Sequence, residues 1–258
     1  MPVMTNYTPG SFCWVELMTS DTNAAKKFYT QLFDWGVEDA PTGEGTFYHM
    51  LKLKSKTVGG MYQATKEQKD IPPHWNCYVA VDNVDESVKM VEKLGGKTLM
   101  PPFDVFQVGR MSAAQDPSGA RFCLWQAKNV EPTLVMEPGA MCWNELGTTD
   151  EKSATKFYSQ LFGWGTKPIP STLPYTVFSN RGSDIGGMYT LTKEMKGVPP
   201  NWMPYFAVAD CDASDRKVAS LGGKQVIPPT DIPNTGRFAY ERDPQGAMFA
   251  IIKLNPRP

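Results

Sequence analysis

The sequence predicts an α+β fold made of four consecutive βαβββ units, which form two tandem domains. Three observations lead to this prediction: a long stretch occurs twice, strand-like alternation gives way to helical spacing in each copy, and clusters of Gly, Pro and Asp separate the segments. The two copies of the stretch are residues 13–36 and 142–165. They keep Trp, Glu, Leu, Thr, Asp, a Phe-Tyr pair and Gly in register, so the chain is a tandem duplication.

The first unit begins with a strand at residues 11–18. Strict alternation puts Phe12, Trp14 and Glu16 on one face and Cys13 on the other, which faces the following helix. After this strand, a Ser-Asp pair supplies the N-cap of a helix. The remaining elements of the first repeat are then a helix at about 22–34, strands near 35–40, 46–53, 57–64 and 76–81, a helix at about 84–94, and strands near 97–104, 109–115 and 120–126.

Composition and charge exclude several classes of partner. The 258 residues carry a formal net charge of −1 and a pI near 6.2, which gives no reason to expect nucleic acid or an anionic membrane surface. No secretion signal and no run of about 18 apolar residues is readable. The five cysteines include no Cys-x-x-Cys, which suits reduced thiols and predicts a cytoplasmic protein.

The order of elements and the turns between them resemble the vicinal oxygen chelate superfamily, which holds glyoxalase I, bleomycin-resistance proteins and extradiol dioxygenases. The chain is most similar to tandem, two-domain glyoxalase-like bacterial members. The resemblance is specific for the fold and poor for the substrate, because one scaffold in this superfamily hosts several chemistries. Its motifs are the Asp to Phe-Tyr-x-x-Leu-Phe opening at 21–33, the strand-to-helix joint at 80–85 and Asp-Pro-x-Gly at 116–119, repeated at 149–162, 207–212 and 243–246.

The resemblance implies the domain organisation. Two glyoxalase-like domains are expected at residues 10–128 and 139–254, with a linker at 129–138, and each domain curves mixed sheet around a cup. Superfamily members form these sheets within a repeat or by exchange between repeats, and both arrangements stay open. The chain is then a monomer with pseudo-dimeric repeats or a homodimer.

The family's metal ligands are His, Glu or Gln on the first, fourth, fifth and eighth strands of a domain. The fourth-strand positions fall in 59–62 and 186–189, where neither His nor an acid is present. The three remaining positions hold Trp14, Asn76 and Cys123 in the first repeat, and Trp143, Met203 and Ala250 in the second. We therefore expect no bound metal and no cofactor. A displaced metal site made of Glu16, His49 and Cys123 is the alternative.

Aromatic and Met side chains with a few polar groups are predicted to line the cups, a composition typical of small-molecule sites. Trp75 and Trp202, which follow Pro-Pro loops, are predicted either to cover a cup or to anchor the domain interface. The candidate ligand-binding residues are Trp14, Met61, Trp75, Asn76, Tyr78, Arg110, Cys123 and Trp125 in the first repeat, and Trp143, Met188, Trp202, Tyr205 and Arg237 in the second.

Glu16 and Glu145 are the most informative polar residues, because alternation turns each towards its cup. A carboxylate there must be solvated, paired or protonated. In a functional role each is a hydrogen-bond acceptor for a bound ligand or, if the protein is an enzyme, a general base. In a structural role each forms a buried ion pair with Arg110 or Arg237.

The function predicted from these residues is metal-free binding of a small apolar or aromatic molecule in one or both cups. The alternative is a glyoxalase-like lyase or isomerase, or a dioxygenase, that uses the displaced metal site or a buried Glu as base. A third class is an interaction module whose cups are filled.

Overall fold

The computed structural model describes residues 3–43, 45–169, 174–193, 195 and 197–256. The first repeat comprises β2 (Phe12–Thr19), α1 (Thr22–Phe33), β3 (Gly36–Gly43), β4 (Thr46–Leu53), β5 (Lys56–Gln63), β6 (His74–Ala80), α2 (Val84–Lys93), β7 (Lys97–Val105), β8 (Gly109–Gln115) and β9 (Arg121–Ala127). A 3-10 turn lies at Lys66–Gln68, and two short strands, β1 (Val3–Met4) and β10 (Thr133–Leu134), flank the repeat.

The second repeat comprises β11 (Met141–Thr148), α3 (Glu151–Phe162), β12 (Gly165–Ile169), β13 (Tyr175–Asn180), β14 (Ser183–Thr190), β15 (Asn201–Ala207), α4 (Cys211–Ser220), β16 (Lys224–Ile232), β17 (Gly236–Arg242) and β18 (Met248–Leu254). The predicted order of strands and helices is confirmed in both repeats. No helix among the described residues is long and apolar enough to cross a membrane.

All four helices begin at a side chain that caps the first turn. Asp21 accepts a hydrogen bond from the backbone N–H of Ala24 at 3.0 Å, and Asp150 accepts from Ser153 at the same distance. Asn83 and Asp210 do the same for α2 and α4. Because the first amides of a helix lack partners within it, these caps fix where each helix starts.

The sheets form within each repeat, which decides between the two arrangements left open above. The eight strands of the first repeat follow the order β3-β4-β5-β2-β6-β9-β8-β7, and those of the second follow the order β12-β13-β14-β11-β15-β18-β17-β16. In both sheets the first strands of the two βαβββ units are antiparallel neighbours. Each sheet is therefore assembled from two units joined at its centre.

A β-bulge near the start of β2 corrects the predicted facing of its first residues. The register shifts between Phe12 and Trp14, and β11 shifts in the same way between Met141 and Trp143. One extra residue inverts the alternation, so Phe12 turns into the core while Cys13 turns to the cup side, near Tyr78. Cys142 likewise lies on the cup side, beside Tyr205.

One apolar core serves both repeats. It lies between the two sheets, because β15 contacts β6 and β9 while β18 contacts β6. Phe12 of the first repeat packs against Trp164 and Trp202 of the second, and Phe206 of the second packs against Trp75 of the first. The two sheets are thus packed back to back, and their cups open on the outer faces.

The Asp-Pro-x-Gly turns join the repeats. One carboxylate oxygen of Asp116 accepts from the amides of Gly119 and Ala120 in its own turn, both at 2.9 Å. Its other oxygen accepts from Tyr158 Oη at 3.0 Å, and Trp202 Nε1 donates to the same hydroxyl at 2.8 Å. The symmetric set, made by Asp243, Tyr29 and Trp75, has the same pattern. Each turn therefore holds a helix of the other repeat.

Candidate functional site

The first cup is the outer face of the first sheet, and its walls come from β2, β6, β8 and β9. Its floor residues Cys13, Tyr78 and Cys123 are almost fully buried. The N-terminal segment closes one end, where the Tyr7 hydroxyl donates to the backbone oxygen of Glu131 at 2.6 Å. The partly buried apolar residues packed on this floor are Met4, Tyr7, Trp14, Met111, Ala113 and Trp125.

Glu16 lies at the centre of the first cup and is held by tyrosines. Tyr78 Oη donates to Glu16 Oε1 at 2.8 Å, and the side chains of Tyr48 and Asn76 also hydrogen-bond to this carboxyl. Trp14 Nε1 donates to Tyr48 Oη at 3.0 Å, which fixes the phenol that faces the acid. The arrangement is a chain of indole, phenol and carboxyl groups across the cup.

The second cup repeats this chain and adds one phenol. Tyr205 Oη donates to Glu145 Oε2 at 2.8 Å, and Trp143 Nε1 donates to Tyr175 Oη at 2.9 Å. Tyr240 also donates to Glu145 Oε2. The apolar side chains packed in this cup are Met203, Ala207, Ile227, Ile232, Phe238, Met248, Ala250 and Ile252.

Burial raises the pKa of both carboxyl groups. Desolvation is the main cause for Glu16 and for Glu145, and the tyrosine hydrogen bonds oppose it only in part. Burial also raises the pKa of Tyr78 and Tyr205 well above the ordinary value, and the neighbouring Glu adds to this effect. Burial therefore shifts the Glu and the tyrosines of each cup towards their protonated forms, and carboxyl and phenol groups together can both donate and accept hydrogen bonds.

Two glycines make room for the phenols that sequence reasoning missed. A Cβ on Gly60 would lie 1.9 Å from Tyr48 Oη, and one on Gly187 would lie 2.2 Å from Tyr175 Oη. The ring therefore crosses directly over the backbone of the neighbouring strand. Tyr48 and Tyr175 stand at the same distance before these glycines in the two repeats, so the internal duplication carried the signal.

The structure brings nine of the candidate residues to the cups. Besides the two acids, these are Trp14, Asn76, Tyr78, Cys123 and Trp125 in the first cup, with Trp143 and Tyr205 in the second. Asn76 pairs with Glu16 across β2 and β6, and Tyr78 pairs with Cys123 across β6 and β9. Because these pairs are adjacent, their side chains form one continuous wall.

Four of the candidate ligand-binding residues lie in the core. Met61, Trp75, Met188 and Trp202 are buried in the core between the sheets, so their placement in a cup is corrected. Trp75 Nε1 donates to Tyr29 Oη at 3.1 Å. Of the two roles open to Trp75 and Trp202, the structure therefore shows anchoring at the interface between the repeats.

The predicted ion pairs of Glu16 and Glu145 with arginine are wrong. Arg110 lies on the helix side of β8, where its Nε donates to Asp85 at 2.7 Å. Arg237 pairs with Asp212 at 2.8 Å in the same way. A guanidinium binds a carboxylate best through two parallel bonds, which the N-terminal acid of each helix provides.

The donor groups of the cups do not fit the metal that the resemblance implies. His49 pairs with Met61 and accordingly lies on the core face, away from Glu16 and Cys123, so the displaced site is ruled out. Its Nδ1 instead contacts Asp39 at 2.7 Å. Burial raises the pKa of the Cys123 thiol well above its usual range. Over the described part of the chain, no three His, Cys, Asp or Glu side chains group as metal ligands do.

Sequence comparison finds relatives along the full length of the chain. It is 42% identical over 262 residues to "Putative glyoxylase CFP32" of Mycobacterium bovis, and the alignment covers 100% of both chains. It is 32% identical over 272 residues to the anthracycline biosynthesis protein DnrV of Streptomyces peucetius, with 97% of this chain and 96% of the relative covered.

Structural comparison finds the same fold in metal-dependent and oxygen-using proteins. The Mn(II)-bound glyoxalase from Novosphingobium aromaticivorans matches 95% of this chain and 82% of its own with a TM-score of 0.65, at 16% identity. The 2,2',3-trihydroxybiphenyl 1,2-dioxygenase from Sphingomonas wittichii matches 95% of this chain and 91% of its own with a TM-score of 0.66, at 11% identity. At such identities these likenesses show the fold alone.

The family itself is found twice in the sequence, once in each repeat. The matches span residues 11–124 and 135–251, which include both cups and both Asp-Pro-x-Gly turns. The chain therefore belongs to the Glyoxalase/Bleomycin resistance protein/Dioxygenase superfamily.

Proposed function

We propose that the protein binds a planar aromatic small molecule in one or both cups and that no metal takes part in holding it. The observation that carries this proposal is the wall chemistry: indole, phenol and thioether groups surround a single buried carboxyl group, where a metal site would need several His, carboxylate or thiolate ligands. Aromatic faces stack well on planar ligands, and Met adapts to their edges.

The polar groups of the cup suit a ligand with oxygen substituents. Burial raises the pKa of Glu16, which favours the acid form that can donate a hydrogen bond, and Asn76 offers both a donor and an acceptor. The relative from Streptomyces peucetius is named for anthracycline biosynthesis, and anthracyclines are polycyclic aromatics that carry such substituents. This kinship favours an aromatic ligand over a short aliphatic one.

The experiment compares an aromatic probe with a divalent metal. We expect 2-naphthalenemethanol to raise the melting temperature of the untagged protein, because a ligand at 100 times its Kd stabilises the fold by about 2.7 kcal/mol. Mn²⁺ and Zn²⁺ should leave the melting temperature unchanged, and elemental analysis should find them below one ion per chain.

The variants Glu16→Gln and Glu145→Gln form a matched pair for this experiment. A divalent metal retained at one ion per chain and lost in Glu16→Gln would overturn the proposal. The same variants address a second candidate, acid–base catalysis by Glu16, which the raised pKa of this acid favours. Under that candidate Glu16→Gln keeps the ligand but loses turnover.

A further inference from the structure

The two cups differ at the position that decides whether a molecule can enter. Ala113 in β8 and Tyr240 in β17 are equivalent, since Ala113 pairs with Cys123 as Tyr240 pairs with Ala250. In the second cup the Tyr240 ring lies over the floor, with its hydroxyl on Glu145 and 3.1 Å from Tyr205 Oη. In the first cup the equivalent position carries only the methyl group of Ala113 in place of the Tyr240 ring.

The exposure of the wall residues differs between the two cups in the same sense. Met203, Tyr240 and Ile252 are all buried in the second cup, with 9% exposure or less. Their counterparts in the first cup, Asn76, Ala113 and Trp125, are partly exposed. These side chains consequently close the second cup, whereas the equivalent wall residues of the first cup reach solvent above a buried floor.

The rims of the cups also place their arginine differently. The second cup carries Arg242 on β17, whose Nε lies 3.4 Å from Met248 Sδ, whereas the first carries Arg121 on β9 opposite the uncharged Gln115. In the first cup His74, Asn76 and Arg121 stand where the second has Asn201, Met203 and Met248. Arg121 shares the cup face of β9 with Cys123 and Trp125, and no carboxylate of the described residues lies within ion-pair distance of it.

One neighbour of Arg121, His74, connects it with the polar rim of the first cup. Burial lowers the pKa of His74, and the positive charge of Arg121 lowers it further. His74 Nε2 lies 3.2 Å from Asn76 Oδ1, so these side chains form a connected polar rim.

We propose that the first cup alone is the binding site, and that it selects planar aromatic molecules that carry a carboxylate or a similar anionic group. The inference rests on the proposed function and adds which cup is used and which ligand class it takes. The aromatic rings of the ligand lie between Trp14 and Trp125, and its anionic group contacts Arg121 and Asn76. The second cup stays occupied by its own tyrosine side chains. An anion beside an unpaired arginine is stabilised by a charge-assisted hydrogen bond.

Two probes of equal shape test the proposal: 2-naphthoate, which is anionic, and 2-naphthalenemethanol, which is uncharged. Calorimetric titration of the full chain should give a Kd for 2-naphthoate that is at least about tenfold lower. Arg121→Met, which copies the residue of the second cup, should remove this preference and leave the Kd of the alcohol unchanged. Arg216→Met, on the exposed side of α4, is the matched charge control and should change neither Kd.

A second set of variants assigns the cup. Ala113→Tyr copies the filling of the second cup and should weaken both probes by about 100-fold, since the ring occupies the ligand's place. Phe238→Ala, at the wall of the second cup, should leave both Kd values within about twofold. Melting curves without ligand show that each variant is folded.

The outcomes separate this inference from the proposed function. If the alcohol binds but 2-naphthoate has no advantage, or Arg121→Met changes nothing, the anionic class is wrong and the proposed function stands. If Ala113→Tyr leaves binding intact while Phe238→Ala weakens it, the wrong cup has been assigned. If the folded wild-type protein binds neither probe, the proposed function itself fails.

Discussion

Asn144 is a buried polar residue with an unmatched oxygen. It stands in β11 where β2 has Val15, next to the acid of its cup but facing the core. Only 2% of the side chain is exposed; its Nδ2 lies 3.4 Å from Met141 Sδ, and its Oδ1 has no hydrogen-bond partner among the described residues. Such an orphaned group costs about 1–3 kcal/mol of stability.

The variant Asn144→Val should therefore stabilise the protein. It removes the unpaired oxygen and supplies the β-branched side chain that the first repeat already has at this position. We expect the free energy of unfolding to rise by about 1 kcal/mol, measured by urea denaturation. Val15→Asn is the matched control and should lower it. A loss of stability in Asn144→Val would show that the side-chain amide of Asn144 makes a stabilising hydrogen bond.

At the level of residues, the sequence identified Glu16 and Glu145 but not their partners. Their position two residues after a Trp was readable because the bulge precedes that Trp and leaves the later alternation intact. Tyr48 and Tyr175 come from a strand that is distant in sequence, and their reach depends on a missing Cβ at Gly60 and Gly187. Side-chain reach of this kind is a property of the packed sheet.

The strand β17 carries a buried acid that its counterpart β8 lacks. Glu241 has no exposed surface, and neither of its carboxylate oxygens has a hydrogen-bond partner among the described residues. Burial, followed by the charge of Asp215 on α4, raises the pKa of Glu241 to about 9. Ala114 occupies the equivalent buried position in β8.

This acid should make the protein less stable as the pH rises. Between its ordinary pKa of 4.5 and its folded pKa of about 9, the folded state keeps a proton that the unfolded chain has released. Stability is therefore lost across this window. Glu241→Gln, which cannot ionise, should raise the melting temperature at about pH 8.5 and change it little at about pH 5.

An exposed acid provides the control for this experiment. The side chain of Glu38 in β3 is 71% exposed, so Glu38→Gln should leave the pH dependence of the melting temperature unchanged. Equal slopes for wild type and Glu241→Gln would show that this carboxyl finds a proton donor or water in solution.

Elements were the most predictable level of the structure. Caps, Gly and Pro punctuation and periodicity are local signals, and they located the strands and helices closely. The bulge in β2 was missed because strict alternation was assumed, and only pairing with β6 shows the extra residue. The incorrect facing of Phe12 and Cys13 follows from that one residue.

The shared core makes each repeat dependent on the other. Trp35 Nε1 of the first repeat donates to the backbone oxygen of Gly139 at 2.7 Å, and Trp164 Nε1 of the second donates to that of Gly10 at 2.6 Å. Phe12, Trp75, Trp202 and the rest of this core would face water in an isolated half. An exposed apolar surface of this size promotes aggregation or association.

Separate expression of the two halves, residues 10–128 and 139–254, tests this dependence. We expect each half alone to aggregate or to bind hydrophobic dye, and the two together to co-purify as a 1:1 complex in size-exclusion chromatography. Tyr29→Phe and Tyr158→Phe should weaken that complex, since both hydroxyls bond across the repeats. Two halves that melt sharply as separate monomers would contradict the prediction.

The duplication revealed the number of units, but not how the sheets pair. Both arrangements bury the same apolar faces, so hydrophobic patterning alone does not choose between them. The choice depends on contacts such as those of Asp116 with Tyr158, which unite residues far apart in sequence. The sequence identified the Asp-Pro-x-Gly motif as a turn. That its Asp also accepts a hydrogen bond from a tyrosine of the other repeat is seen only in the folded protein.

Packing the sheets back to back has a consequence for chemistry. A molecule bound in one cup is separated from the opposite cup by the shared core, and it exchanges with bulk water on its own side. No intermediate can pass from one half to the other without leaving the protein. Any reaction between two substrates must therefore bring both of them into a single cup.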